Sequence, residues 1–212
     1  MRLYLVRHGQ TAWNAQEKAQ GHTDVPLDET GKIQAQRLAE LLEGSRIDLI
    51  LTSDLQRSKE TAQVIADRFG APLEATELLR ERSFGEWEGL PYTEVGRRFG
   101  TAVSDQGLSS LYEACPPGGE SLQMAWERLA AISARLTNSA PKNTLVVSHG
   151  GASALLLAQL IRGDLDTSRA FRFHNCAVTE LFRRPDHSFQ LIRFNDSSHL
   201  ENVEPLTNAA VR

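Results

Sequence analysis

Twice along this chain an apolar run ends on a histidine followed by glycine, in "RLYLVRHG" (2–9) and in "NTLVVSHGG" (143–151). Each run is short, continuous and rich in Leu and Val, the pattern of a strand buried on both faces of a parallel sheet. Such sheets are covered by helices on both sides, and their ligands sit beyond the carboxyl ends of the strands. Two histidines at such ends, each with a glycine that lets a backbone or an anion come close, point to an α/β architecture with a site along one sheet edge.

The rest of the chain fits that frame. "RIDLILTS" (46–53) reads as a third buried strand, and "AVTELFR" (177–183) and "FQLIRF" (189–194) as two closing strands. Helical spacing appears in 28–44, with Ile33, Leu38, Leu41 and Leu42 as the apolar stripe and Gly44 as C-cap. It recurs in 53–70, where Ser53 or Asp54 is the expected N-cap, Leu55, Ala62, Ile65 and Phe69 form the stripe, and Gly70 ends the helix. A third helix covers 119–136, with Leu122, Ala125, Trp126, Leu129, Ile132 and Leu136 on one side and Met124 also assigned to the core; a fourth follows in "ASALLLAQLIRG" (152–163). This succession predicts a three-layer α/β sandwich, a mainly parallel central sheet flanked by helices, forming one domain over 1–212. Residues from about 91 to 119 are weakly periodic, contain Pro-Pro-Gly-Gly at 116–119, and read as a lid-like excursion over the site edge.

Charge then narrows the ligand. The chain of 212 residues carries a net charge of −4, which argues against nucleic-acid or anionic-membrane partners, so any affinity for anions must be local. The two cysteines, Cys115 and Cys176, suggest neither a disulfide framework nor a zinc ribbon, and Cys176 in "FHNCAV" reads as a small buried hydrophobe. The apolar run before Arg7 is too short for a signal peptide and none approaches the ~18 residues that would span a bilayer, so a soluble cytoplasmic protein is expected.

Local cations are found where the strands end. Arg7 precedes His8, and Arg57 lies one turn into the helix after "LTS", at the same sheet edge. A single arginine there is commonly a surface ion-pair partner, whereas two supply planar bidentate donors suited to a phosphoryl group. Glu81 lies in "LLRERSFGEWEGL" (78–90), where Glu77, Glu86 and Glu88 compete for any role assigned by charge alone. Trp13, Phe84 and Trp87 read as packing or pocket-wall residues. HExxH, EF-hand and clustered-Asp patterns do not occur, so neither metal nor cofactor is expected.

Six blocks, "LVRHGQTAWN" (5–14), "GHTDVPLDETGKIQA" (21–35), "LTSDLQRSKETA" (51–62), "LLRERSFGEWEG" (78–89), "PGGES" (117–121) and "VVSHGG" (146–151), resemble in content and order those of the histidine phosphatase superfamily, the phosphoglycerate-mutase-like group. One RHG is a weak signal; six ordered blocks are a strong one, and the likeness runs from Leu3 to about Leu200. The resemblance implies that His8, as a neutral imidazole, attacks phosphorus to form a phosphohistidine that water then hydrolyses. It makes Arg7, Arg57 and a charged His149 the pocket for the phosphoryl oxygens and Asn14 a neutral donor. Glu81 becomes the general acid for the leaving alkoxide and then the base for water. Gln20, Gly21, His22, Thr23 and Gly150 follow as substrate-binding candidates. In the tail "FNDSSHL" (194–200), His199 would fold back to meet a substrate carboxylate.

Within that family the "FGEWEG" form is similar to the phosphatase branch rather than to the mutases. That branch includes metal-independent phosphoserine phosphatases, broad-specificity phosphatases, α-ribazole phosphatases and sugar-phosphate phosphatases. The expected ligand is a small phosphorylated metabolite, hydrolysed by a phosphoserine or broad-specificity enzyme, with a homodimer as the expected assembly. A cofactor-dependent phosphoglycerate mutase and a non-catalytic phospholigand-binding module are the alternatives.

Overall fold

The computed structural model describes residues 2–105 and 114–203. Six strands form one sheet in the order β3-β2-β4-β1-β5-β6. Four of them, β1 (Arg2–Arg7), β2 (Leu49–Ser53), β3 (Leu73–Thr76) and β4 (Asn143–Ser148), run parallel; β5 (Val178–Arg183) joins β1 antiparallel and β6 (Phe189–Asp196) closes the edge. The expected mainly parallel sheet is therefore present, with an antiparallel margin.

Strand alternation divides the core into two layers. In β1, Leu3 and Leu5 pack with Ala125, Leu129, Ile132 and Leu136 of α5 (Leu122–Asn138) and with the apolar side chains of α6 (Gly150–Leu160). Tyr4 and Val6, on the opposite face, pack with Ala35 and Leu38 of α2 (Glu29–Leu41) and Ala62 and Ile65 of α3 (Gln56–Phe69). β4 divides the same way, Val146 to the first layer, Leu145 and Val147 to the second. Each such fully buried Leu or Val adds about 1.5–3 kcal/mol, and continuous apolarity in these strands is what a sheet covered on both faces requires.

Several sequence expectations shift. Ile33 is 46% exposed and Met124 51% exposed: α2 turns its Gln34, Ala35 and Leu38 inward, and Met124 lies on the outer side of the helix whose Leu122 and Ala125 face the core. Neither Ser53 nor Asp54 caps α3. Ser53 ends β2, Asp54 pairs with Arg80, and the first helical N–H, of Gln56, is capped from a separate loop by Asp24 Oδ1 at 2.6 Å. α2 stops at Leu41, short of Gly44. The excursion begins not as irregular chain but as α4 (Tyr92–Asp105), and the remainder of it between 106 and 113 lies outside the described residues. A short helix, α1 (Ala12–Ala15), completes the set; among the described residues no helix is long and apolar enough to cross a membrane.

Candidate active site

The parallel strands deliver their carboxyl ends to one edge, and β1 and β4 are neighbours in register, Arg7 opposite Ser148. The next residue of each is a histidine, so the two rings of His8 and His149 meet edge-on, centroids 5.1 Å apart. Arg57 comes from the first turn of α3 after β2, and Glu81 from the loop after β3. These residues line a single pocket together with Arg7, Asn14, Gln20, Gly21 and Gly150.

His8 is held on every side. Its N–H donates to Ser148 O (2.9 Å), Asn175 Nδ2 donates to its carbonyl (2.8 Å), and the Gly9 N–H donates to Thr61 Oγ1 (3.0 Å). The ring Nδ1 lies 2.7 Å from Gly9 O, an acceptor, so Nδ1 carries the proton and Nε2 keeps its lone pair. Burial, then the Arg57 and Arg7 guanidiniums, push this imidazole well below 6.5, so it is neutral.

His149 departs from the charged partner expected of it. The Arg57 Nε–H donates to His149 Nδ1 at 3.2 Å, which requires a lone pair there, and burial beside Arg57, His8 and Arg7 pushes this ring well below 6.5 as well. It is a neutral imidazole, and the cationic character of the pocket rests on the guanidiniums. A pH dependence follows. Both rings stay neutral when folded while their unfolded forms protonate below about 6.5, so the unfolded state binds more protons and stability falls as pH drops through that value. Each ring contributes a slope of up to about 1.4 kcal/mol per pH unit. Urea midpoints measured from about pH 7.5 down to about pH 5 are expected to fall steadily; a flat profile would mean that these imidazoles are not neutral in the folded protein.

Arg57 is fully buried, and burial lowers it to about 10, which leaves it protonated at neutral pH. Besides His149 it donates to Gly21 O (2.7 Å) and Thr23 O (2.8 Å). The Gln20–Thr23 turn is thus its support, and that turn is in turn held by Glu88, whose carboxylate accepts from the N–H groups of His22 and Thr23, the Thr23 hydroxyl and Phe84 N–H. Arg7 donates through Nη1 to Phe173 O (2.8 Å), while its buried Nε has no partner among the described residues. Asn14 accepts through Oδ1 from the Thr11 N–H, which leaves its amide NH2 as the donor for a ligand; the Thr11 hydroxyl lies 3.1 Å from both Asn14 Oδ1 and Gln20 Oε1 and can serve one at a time.

The Glu81 carboxylate sits at the N-terminus of α6. It accepts from Gly151 N (2.9 Å), Ala152 N (3.0 Å) and Arg82 N (2.9 Å). Only glycine permits this approach, because a Cβ on Gly151 would lie 2.6 Å from Glu81 Oε1. The backbone behind it is clamped from α5: Arg128 donates to Leu78 O, Arg80 O and Glu81 O and pairs with Glu120, which itself accepts from Ser83 N.

The candidates do not all converge. His22 points its Nε2 at Glu81 O (2.8 Å), and Thr23 serves Arg57 through its carbonyl, so both act from behind the pocket wall. His199 is not at the pocket. Its Nε2 lies 3.1 Å from Cys176 O and the adjacent Leu200 is buried in the core layer under α2, so it fastens the tail to the turn that precedes β5. Phe84, read from sequence as a packing or pocket-wall residue, is in the lining; Tyr92, Arg82, Leu122, Leu155, Phe171, Arg172 and Phe173 are there too and were not singled out as pocket residues by sequence. Burial and the nearby Glu81 push the Tyr92 hydroxyl up to about 12, keeping it a neutral donor. Cys176 is fully buried, its thiol pushed up by burial. Among the described residues no group of three or more His, Cys, Asp or Glu side chains converges as a metal site would require.

A family model described as the histidine phosphatase superfamily (branch 1) matches residues 3–197. The chain is 32% identical over 197 residues to the uncharacterized phosphatase PhoE of Bacillus subtilis, covering 92% of this chain and 95% of that protein. It is 33% identical to a probable phosphoglycerate mutase GpmB of Yersinia pestis, covering 85% and 84%. Its fold superposes on a crystal structure described as a putative alpha-ribazole-5'-P phosphatase from Escherichia coli with a TM-score of 0.84 at 31% identity, covering 92% of this chain and 96% of that one.

Proposed function

Because the chain belongs to the histidine phosphatase superfamily (branch 1), we propose that it hydrolyses phosphate monoesters of small metabolites through a phosphohistidine on His8, without a metal ion. One observation carries the reading: an imidazole locked by Gly9 O into the tautomer with a free Nε2 faces Arg7, Arg57 and the Glu81 carboxylate across one pocket.

In the first step the Nε2 lone pair forms the N–P bond as the ester P–O bond breaks, and Glu81 passes a proton to the departing alkoxide. In the second, water attacks phosphorus, its proton goes to Glu81, the N–P bond breaks and inorganic phosphate leaves with His8 restored. The charge spread over the equatorial oxygens is met by the guanidiniums of Arg7 and Arg57 and the neutral donors of Asn14 and His149. Two fixed guanidiniums supply electrostatic stabilisation of the kind a divalent ion supplies elsewhere.

The "FGEWEG" block and the likeness to PhoE favour hydrolysis over transfer. The likeness to GpmB keeps phosphoglycerate mutase as the second reading. For the leaving group, the tail "FNDSSHL" (194–200) resembles a segment of the phosphoserine and broad-specificity groups alike, and a substrate carboxylate was expected to meet His199. With His199 fastened to Cys176 O, a broad-specificity phosphatase is the better reading, with α-ribazole and sugar phosphates as further substrates to test. The test is a phosphorus NMR time course with chelator, L-phosphoserine, 3-phosphoglycerate and a trace of 2,3-bisphosphoglycerate together. Growing inorganic phosphate is expected. A 2-phosphoglycerate resonance with little free phosphate would make the protein a mutase, and a strict need for added divalent metal would overturn the metal-free step.

A further inference from the structure

The pocket has a cation that the phosphoryl chemistry does not use. The lining that holds His8, Arg7 and Arg57 also includes the apolar side chains of Phe84, Leu155 and Phe171 and, next to Phe171 in the chain, Arg172. Arg172 is exposed. Its hydrogen bonds go only to the carbonyls of Arg169 (3.5 Å) and Phe171 (3.3 Å), longer than ordinary N–H···O bonds, and among the described residues no carboxylate pairs with it. Its neighbour Arg169, by contrast, is paired with Asp166. Arg82, the other guanidinium of the lining outside the phosphate end, is buried, donates to Ala114 O and stacks on Phe84, so it is part of the wall.

The rail that carries Arg172 is rigid. Phe173 O holds Arg7, and Phe171 and Phe173 are both braced by Phe194 of β6, ring centroids 5.4 and 5.6 Å away. Arg172 is thus carried on a braced segment of the lining, and in a chain of net charge −4 its guanidinium is a local attractor for anions.

We propose that Arg172 forms a second anion subsite at the pocket mouth, so that the preferred substrate is a phosphomonoester whose leaving alcohol has an apolar body and carries a further carboxylate or phosphate. This rests on the phosphatase reading above. The apolar side chains of the lining take the body of the alcohol, Arg7 and Arg57 take the phosphoryl group, and Arg172 takes the distal anion at an exposed position. An ion pair there is worth up to about 1 kcal/mol, or about fivefold in kcal-to-affinity terms.

The test compares kcat/KM for phenyl phosphate and 4-carboxyphenyl phosphate in the wild type, Arg172→Gln and Arg172→Glu. The ratio of the carboxylated to the uncharged ester cancels effects common to both. It is expected to fall about fivefold in Arg172→Gln, to fall further in Arg172→Glu, and to shrink in the wild type as salt is raised. A ratio unchanged in both variants, or an equal loss on both esters, would overturn the subsite while leaving the phosphatase standing. Failure of the wild type to turn over either ester would overturn the phosphatase reading and the subsite with it.

Discussion

His8→Ala is expected to lower kcat on every phosphomonoester by on the order of 10^4-fold or more, above about 5 kcal/mol of transition-state stabilisation. No neighbouring group can take over. His149 is the nearest imidazole, but its Nδ1 lone pair is occupied by the Arg57 Nε–H, and in the neutral ring Nε2 then carries the proton and has no lone pair to offer phosphorus. The phosphate-binding donors remain in the variant, because Arg7 is anchored by Phe173 O and Arg57 by Gly21 O and Thr23 O, none of which depends on the His8 ring. Inorganic phosphate or vanadate should therefore still raise the melting temperature of His8→Ala, by the mass action of binding to the folded state. Loss of turnover with binding retained separates a missing nucleophile from a collapsed site. Substantial residual turnover would contradict covalent catalysis.

The second large effect is expected at Glu81, and its signature is selectivity between leaving groups. Glu81→Gln should reduce kcat/KM, which reports the first step alone, on alkyl phosphates by about 10^2–10^4-fold, the range of a lost general acid, while p-nitrophenyl phosphate, whose leaving group needs no proton, should lose far less. A uniform loss has a competing origin that must be separated. The carboxylate accepts from three backbone N–H groups, and an amide in its place turns a donor toward one of them, an unsatisfied contact of about 1–3 kcal/mol that would disturb every substrate alike. The dependence of log kcat/KM on leaving-group basicity is thus the informative quantity. A slope that steepens in the variant supports proton donation by Glu81; parallel slopes would reduce Glu81 to a strut at the N-terminus of α6.

The sequence is most legible where one physical requirement dominates a contiguous stretch. β1 and β4 are apolar on both faces because helices cover both, and a histidine after each run marks the ligand edge without any long-range information. β3 escaped notice because Leu73–Thr76 is an edge strand whose burial is slight, so its Glu74 and Thr76 break the apolar pattern. Ile33 and Met124 misled because apolarity alone does not say which side of a helix faces the sheet.

The site divides the same way. His8, Arg7, Arg57, Glu81 and His149 sit in short recognisable blocks and line one pocket. Its substrate end was not legible. Beyond Phe84, read as a packing or pocket-wall residue, Tyr92, Leu122 and the adjacent Phe171 and Arg172 come from separate parts of the chain, and only the fold juxtaposes them. Glu88, which holds the turn supporting Arg57, had been one carboxylate among several; its donors become visible only when the 20–23 and 83–84 segments are brought together. His199 shows the opposite case, a polar tail residue given to the ligand when a backbone carbonyl of the turn before β5 is its partner.

The most direct test of the central claim is a rapid alkaline quench of the protein during turnover of p-nitrophenyl phosphate, followed by intact mass and peptide mapping, since phosphohistidine survives base. The account predicts a species heavier by one phosphoryl group, mapped to the peptide containing His8, formed with the burst of p-nitrophenol and absent in His8→Ala. Turnover without that species, or a phosphoryl group on any other residue, would contradict it.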